Sequence, residues 1–156
     1  MCENFKRKGK SPMSILSKMS SLFKVANSNK KANNFEIDEL IQFSKIDVPE
    51  EFIQIIKEKT ELEIQVDNKK YIWIWGANGC IEMNTAYSIQ KYIPNSLAIG
   101  DDECCNTMLY ASGHKGFGVY MVSVSDLDVD EMVFIANSLE DFFVKEKGLD
   151  VFNNIF

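Results

Sequence analysis

Side chains able to do chemistry are unevenly supplied: one histidine, His114, four cysteines (Cys2, Cys80, Cys104 and Cys105), and 23 carboxylates. Nucleophilic catalysis needs a nucleophile, a base beside it and a group that orients the base. His114 is the sole imidazole, and no G-x-S-x-G or papain-like cysteine context accompanies it. It lies in Gly113-His114-Lys115-Gly116-Phe117-Gly118, which reads as a hairpin loop. A phosphate cradle would need a helix after those glycines, and the residues that follow have strand character. The cysteines match no zinc spacing, since there is no C-x-x-C pair and the vicinal Cys104–Cys105 is poorly placed to chelate. Reduced thiols in a cytoplasmic protein are expected, with no metal and no other cofactor.

The carboxylates concentrate in two stretches, Asp101-Asp102-Glu103 and Asp126-x-Asp128-x-Asp130-Glu131. Paired carboxylates can do acid–base work, or hold a divalent metal for an enzyme. The second stretch has the D-x-D-x-D opening of a calcium loop. However, Glu131 and Asn137 stand where that loop requires glycine and glutamate, which excludes an EF-hand. Both stretches therefore read as solvated acidic surface, and no catalytic residue is assigned. Trp73 and Trp75 read as sheet residues, and an exposed tryptophan also makes a strong interface anchor.

Charge divides the chain. Residues 1–34 carry eight Lys/Arg against one acid, a net +7, while residues 35–156 carry nine Lys/Arg against 22 acids, a net −13. A basic arm thus precedes an acidic body. Direct nucleic-acid binding by the body is disfavoured, because phosphate contacts need cationic surface. A basic protein partner suits it better. For the arm, packing on its own domain is favoured over contact with a membrane surface.

The elements that must position these groups follow from periodicity. With 156 residues, 46% of them hydrophobic and 26% charged, the chain suits one domain around one core. No apolar run approaches the ~20 residues of a membrane span. Ile15, Leu16, Met19, Leu22, Phe23 and Ala26 predict an amphipathic helix over about 13–26, with a polar linker to residue 34. Ile37, Leu40 and Ile41 mark a second helix. Pro49-Glu50-Glu51 opens a third, with Phe52, Ile55 and Ile56 inside. At Glu61 the period changes to two: Leu62, Ile64 and Val66 alternate with polar residues, and Tyr71–Trp75 is apolar on both faces. Asn84 is expected to cap a short helix ending before Pro94. Strands follow at Leu97–Ile99, Cys105–Tyr110, Gly118–Val124 and Met132–Ile135. Ser138-Leu139-Glu140-Asp141 resembles a capping box, and Gly148 ends the helix it opens. The expected fold is α+β, a mainly antiparallel sheet of about six strands flanked by N-terminal and C-terminal helices. A basic arm, 1–34, precedes the α+β domain, 35–156.

The order of several motifs resembles the SUKH superfamily, which includes fungal cell-wall-synthesis regulators and many bacterial immunity proteins. The motifs are Val48-Pro49-Glu50-Glu51-Phe52, the tryptophan-bearing strands, Ile93-Pro94-x-x-Leu97-Ala98-Ile99-Gly100-Asp101-Asp102, and Met132 to Phe143 with its Ile135-Ala136-Asn137-Ser138 turn. The resemblance covers roughly residues 35–147. It departs at Glu103-Cys104-Cys105-Asn106, where the family often has small residues, chiefly glycines. The resemblance implies a non-enzymatic domain that binds a protein, in bacteria typically a toxin domain and often a nuclease. The expected partner is then a basic toxin domain, met by Asp101, Asp102, Glu103, Asp126, Asp128, Asp130 and Glu131 with Trp73 and Trp75 as anchors. The alternative is a regulatory scaffold resembling the fungal members.

Overall fold

Polar–apolar alternation and short helical stripes become, in order, α1 (Ile15–Lys18), β1 (Phe23–Asn29), α2 (Asn34–Phe43), α3 (Glu50–Ile56), β2 (Thr60–Val66), β3 (Lys70–Ile74), α4 (Ala77–Ala86), α5 (Ile89–Tyr92), β4 (Ser96–Asp101), β5 (Asn106–Gly113), β6 (Gly116–Ser123), a 3-10 turn (Val129–Glu131), β7 (Val133–Ala136), α6 (Leu139–Phe143) and α7 (Leu149–Ile155). This is a computed structural model, and it describes residues 13–156. The fold is α+β, with seven strands in the spatial order β1 to β7. Each pairs antiparallel with its neighbour, giving a meander.

Burial follows the residue types. Leu62, Ile64 and Val66 of β2 and Ile72 and Ile74 of β3 point into the core, while Glu63, Gln65 and Trp73 between them are half-buried. The central strands β5 and β6 are buried on both faces from Thr107 to Ala111 and from Gly118 to Val122. Phe52, Phe142, Phe143 and Phe152 bring α3, α6 and α7 into the same core. Glu51 ties α3 to this frame: its carboxylate accepts from the Tyr110 hydroxyl at 2.7 Å and from the Leu139 and Glu140 amides at 2.7 and 3.1 Å. The amide donors are among those that a helix N-terminus leaves without an internal partner. Ser138 satisfies another, accepting from Asp141 N at 3.0 Å, as its sequence context predicts.

Three sequence expectations are corrected. The helix expected over 13–26 stops at Lys18, and Phe23–Asn29 is instead the edge strand β1. Phe23 is the one buried residue of β1 and packs edge-on against Phe142 and Phe143, while the strand's backbone pairs with β2. That ladder outweighs the helical spacing of the side chains. It also shortens the supposed linker, since Asn33 already caps α2 in a reciprocal box with Glu36.

Asn84, expected as a cap, lies inside α4 and is 1% exposed. There β3 and β4 pair at Trp73–Asp101 and Ile74–Gly100, Trp75 N adds a bond to Ile99 O at 2.9 Å, and the chains then diverge. The Asn84 amide takes the place of the missing strand. It donates to Ala98 O at 2.8 Å and Cys80 O at 2.7 Å, and accepts from Ala98 N at 2.9 Å and Gln90 Nε2 at 2.8 Å. Finally, the chain continues past Gly148 into α7. Gly148 has φ of 80°, and a Cβ there would fall 2.0 Å from Ile135 O, so only glycine fits.

Candidate functional site

In an antiparallel meander every second connection returns to the same end of the sheet. The β2–β3 turn, the β4–β5 loop and the β6–β7 connection therefore share one end. The last two hold both acidic stretches. They are joined directly, because Val124 N donates to Cys105 O at 2.9 Å beside the Asn106–Ser123 pair.

The β4–β5 loop is organised by its own carboxylates. Gly100 lets β4 approach β3 closely, since a Cβ there would lie 2.2 Å from Trp73 O. Asp101 then reaches across and accepts Trp75 Nε1 at 3.0 Å, and takes the Glu103 amide at 2.8 Å on its other oxygen. Asp102 accepts from the amides of Cys104 and Asn106, both at 3.1 Å, and from Asn106 Nδ2 at 2.7 Å. Such bonds from an aspartate to the amides that follow it hold a turn in shape. Glu103 sits at φ 60° and is exposed.

Glu103 faces Glu63 on the neighbouring part of the sheet. Partial burial, the hydrogen bond to Glu63 and the charges of Glu63 and Asp101 push the Glu103 carboxyl up to about 7. Glu63 moves the other way, held down by hydrogen bonds from Glu103 and Asn27, the latter at 2.9 Å. The two neighbouring carboxyls thus lose their protons in sequence as pH rises, Glu63 first. In the strand register Asn27 stands opposite Glu63, Glu63 opposite Trp73 and Trp73 opposite Asp101. Directly opposed residues share a face, so this row forms a polar strip with one half-buried tryptophan.

The β6–β7 connection is more exposed. Asp128 caps the 3-10 turn, accepting Asp130 N at 2.8 Å, and Asp126, Asp128, Asp130 and Glu131 are all exposed. Asp126 borders a groove of about 510 Å³ with Tyr87, Tyr92 and Leu127. Among the described residues none of these seven carboxylates is in a salt bridge; the ion pairs present are Lys18–Glu140, Lys69–Asp67 and those of Lys145 and Lys147 with Asp141. No group of three or more potential ligands poised for a metal occurs among the described residues.

One family model matches residues 31–145, nearly three quarters of the chain. The chain belongs to the SMI1/KNR4 family (SUKH-1). A search of curated proteins gives no match. Membership of this family is consistent with an immunity protein or with an SMI1/KNR4-like regulator. No helix among the described residues is long and apolar enough to cross a membrane.

The sequence candidates are only partly brought together. The two acidic stretches converge, and Trp73 lies on the face beside Asp101. Trp75 does not serve as a surface anchor: it is 4% exposed and positions the Asp101 carboxylate. Tyr87 and Tyr92, 38% and 50% exposed beside Asp126, are the aromatic side chains that sequence reading missed. Tyr92 was hidden by its spacing, since it stands at i+3 from Ile89 beside Ile93 and so reads as part of a buried stripe. Another groove, about 850 Å³, lies away from the acidic end between α1 and α3. It is bordered by Glu50, Glu51, Glu58 and Glu140, of which Glu51 already serves Tyr110 and α6.

Proposed function

We propose that this SUKH-1 domain is a non-enzymatic binding protein that docks a basic protein partner on the acidic end of its sheet. The observation that carries the reading is the convergence of Asp101–Glu103 and Asp126–Glu131 at that end, uncompensated by salt bridges among the described residues. A concentrated negative field steers a cationic surface into contact and fixes its orientation. Tyr87, Tyr92 and Trp73 flank the charges and supply the partly desolvated aromatic surface from which hot spots are built. Family membership supports the specific form of the proposal, an immunity protein that neutralises a cognate toxin domain, most simply a nuclease whose phosphate-binding cleft is cationic. The protein works without a cofactor and in the cytoplasm.

The test is affinity capture of the tagged full chain from its native cells at moderate salt, followed by association kinetics. One stoichiometric basic toxin domain is expected. Asp126→Lys with Asp128→Lys should then slow association and flatten its salt dependence. Capture of cell-wall or signalling proteins would replace immunity by the scaffold reading, and unchanged kinetics in the double variant would move the interface elsewhere.

A further inference from the structure

Two thiols lie side by side in the β4–β5 loop. Cys104 and Cys105 are both exposed, and their Sγ atoms are 3.5 Å apart. Adjacent residues of an extended strand send their side chains to opposite faces, so neighbouring thiols in contact require a turned backbone. Asp102 provides it: one carboxylate takes the amides on both sides of the dipeptide, those of Cys104 and Asn106. The remaining described cysteine, Cys80, is fully buried, and its environment pushes its thiol up. Neither the fold nor the docking reading uses the Cys104–Cys105 pair.

We propose that Cys104 and Cys105 are a reversible two-electron redox site that closes into a vicinal disulfide by exchange with a small-molecule disulfide such as oxidised glutathione. One cysteine thiolate attacks a sulfur of the oxidant, forming a mixed disulfide and expelling one low-molecular-weight thiolate, which takes up the proton. The second cysteine then attacks its neighbour's sulfur, forming the Cys104–Cys105 bond and expelling the second thiol. Two cysteine thiols are oxidised, one disulfide is reduced to two thiols, and no atom is left over.

Closure requires the sulfurs to move from 3.5 Å to about 2.05 Å. Their Cα atoms, ~3.8 Å apart across a trans peptide, sit below the span that disulfides ordinarily prefer. The bond is accordingly strained and easily reduced, of the labile kind rather than the structural kind. Carboxylates and the partner sulfur surround the site: contact with Cys104 first, then its charge and that of Asp102, hold the Cys105 thiol above its ordinary range. Exchange led by Cys105 is therefore slow at neutral pH and speeds up as pH rises, since the thiolate is the attacking form. Twisting the Cys104–Cys105 peptide strains two bonds at once, Cys104 N to Asp102 and Val124 N to Cys105 O. The second is the link between the acidic stretches.

The proposal is tested on the reduced full chain, incubated with excess oxidised glutathione, alkylated after denaturation and mapped by mass spectrometry. The peptide holding Cys104 and Cys105 should lose two hydrogens and both alkylation sites, with no glutathione retained. Cys104→Ser and Cys105→Ser should each stop at the glutathione adduct on the remaining thiol. Full alkylation of both cysteines, a glutathione adduct that persists on the wild-type pair, or a bond from either cysteine to Cys2 or Cys80 would overturn it. The readout needs no partner, so its failure leaves the docking reading standing, and the reverse also holds.

Discussion

Asn84→Ala should be the most informative single deletion in the frame that carries the acidic loop. Asn84 is 1% exposed and makes four hydrogen bonds of 2.7–2.9 Å. Two of them serve the backbone of Ala98, whose N–H and C=O turn toward the place a longer β3 would occupy. Alanine removes both partners, while Ala98 itself is 0% exposed, so water cannot replace them without opening the sheet. A buried backbone group left bare costs about 1–3 kcal/mol. Two such groups give ~2–6 kcal/mol, and the cavity left by the carboxamide adds to it.

Urea denaturation followed by fluorescence is the assay, with Trp73 and Trp75 as reporters. A loss near ~3 kcal/mol corresponds to a melting shift of roughly 6–12 °C for a chain of this size. Native-state hydrogen exchange adds a local readout, in which the Ala98 amide should lose more protection than its neighbours on β4 and β5. Asn84→Asp should not rescue, since a carboxylate cannot donate to the Ala98 and Cys80 carbonyls. A loss below ~1 kcal/mol with Ala98 still protected would refute the assignment of Asn84 as the substitute strand.

Further outcomes follow from the same geometry. Folded Glu103 keeps its proton up to about pH 7, well above its ordinary value of 4.5. Between those values the folded chain binds the extra proton, and its contribution to stability is lost as pH rises through the window. Glu103→Gln should flatten that decline in melts across pH 4.5–7.5, and an unaltered slope would show that another group titrates there. Glu51→Ala strands the buried Tyr110 hydroxyl and two α6 amides and should cost about 2–4 kcal/mol in urea titrations. Glu51→Gln, which keeps an acceptor oxygen, should cost less, and equal losses would count against the capping role. Gly148→Ala drives a Cβ into Ile135 O at positive φ and should cost more than ~1 kcal/mol. A neutral result would mean that the α6–α7 junction is built differently.

What could be read in advance divides along physical lines. Strands β2 and β3 were legible because Leu62, Ile64 and Val66 alternate with polar residues and Tyr71–Trp75 is a short apolar run, both local signals. Strand β1 was not legible: only Phe23 of its seven residues is buried, so the strand carries no alternation, and its pairing with Thr60–Val66 is a long-range fact. Asn84 misled for a related reason. Asparagine favours helix ends because its side chain competes for backbone groups, and here it does compete, but for the backbone of a strand fourteen residues away. The acid–acid pair Glu63–Glu103 was equally hidden, since one member lies within β2 and the other in the β4–β5 loop, and they meet only through the register of β2, β3 and β4.

Convergence of the two acidic stretches was within reach of the sequence. Between Glu103 and Asp126 the chain crosses the sheet twice, along β5 and back along β6. Two antiparallel passages return a chain to the end from which it left, whatever the lengths of the strands. Once Cys105–Tyr110 and Gly118–Val124 are read as a hairpin about a glycine-rich loop, the acids on either side must therefore lie at the same end of the sheet. The eight-strand-residue arms of that hairpin, Asn106–Gly113 and Gly116–Ser123, hold the two stretches in fixed register. The most central and most buried part of the sheet thus sets the spacing of its most exposed charges. A substitution that slips β6 against β5 by one residue would turn Tyr120 and Val122 to the opposite face. Its effect on binding would be inseparable from its effect on folding. Charge variants at Asp126 and Asp128, which lie in neither strand, separate the two.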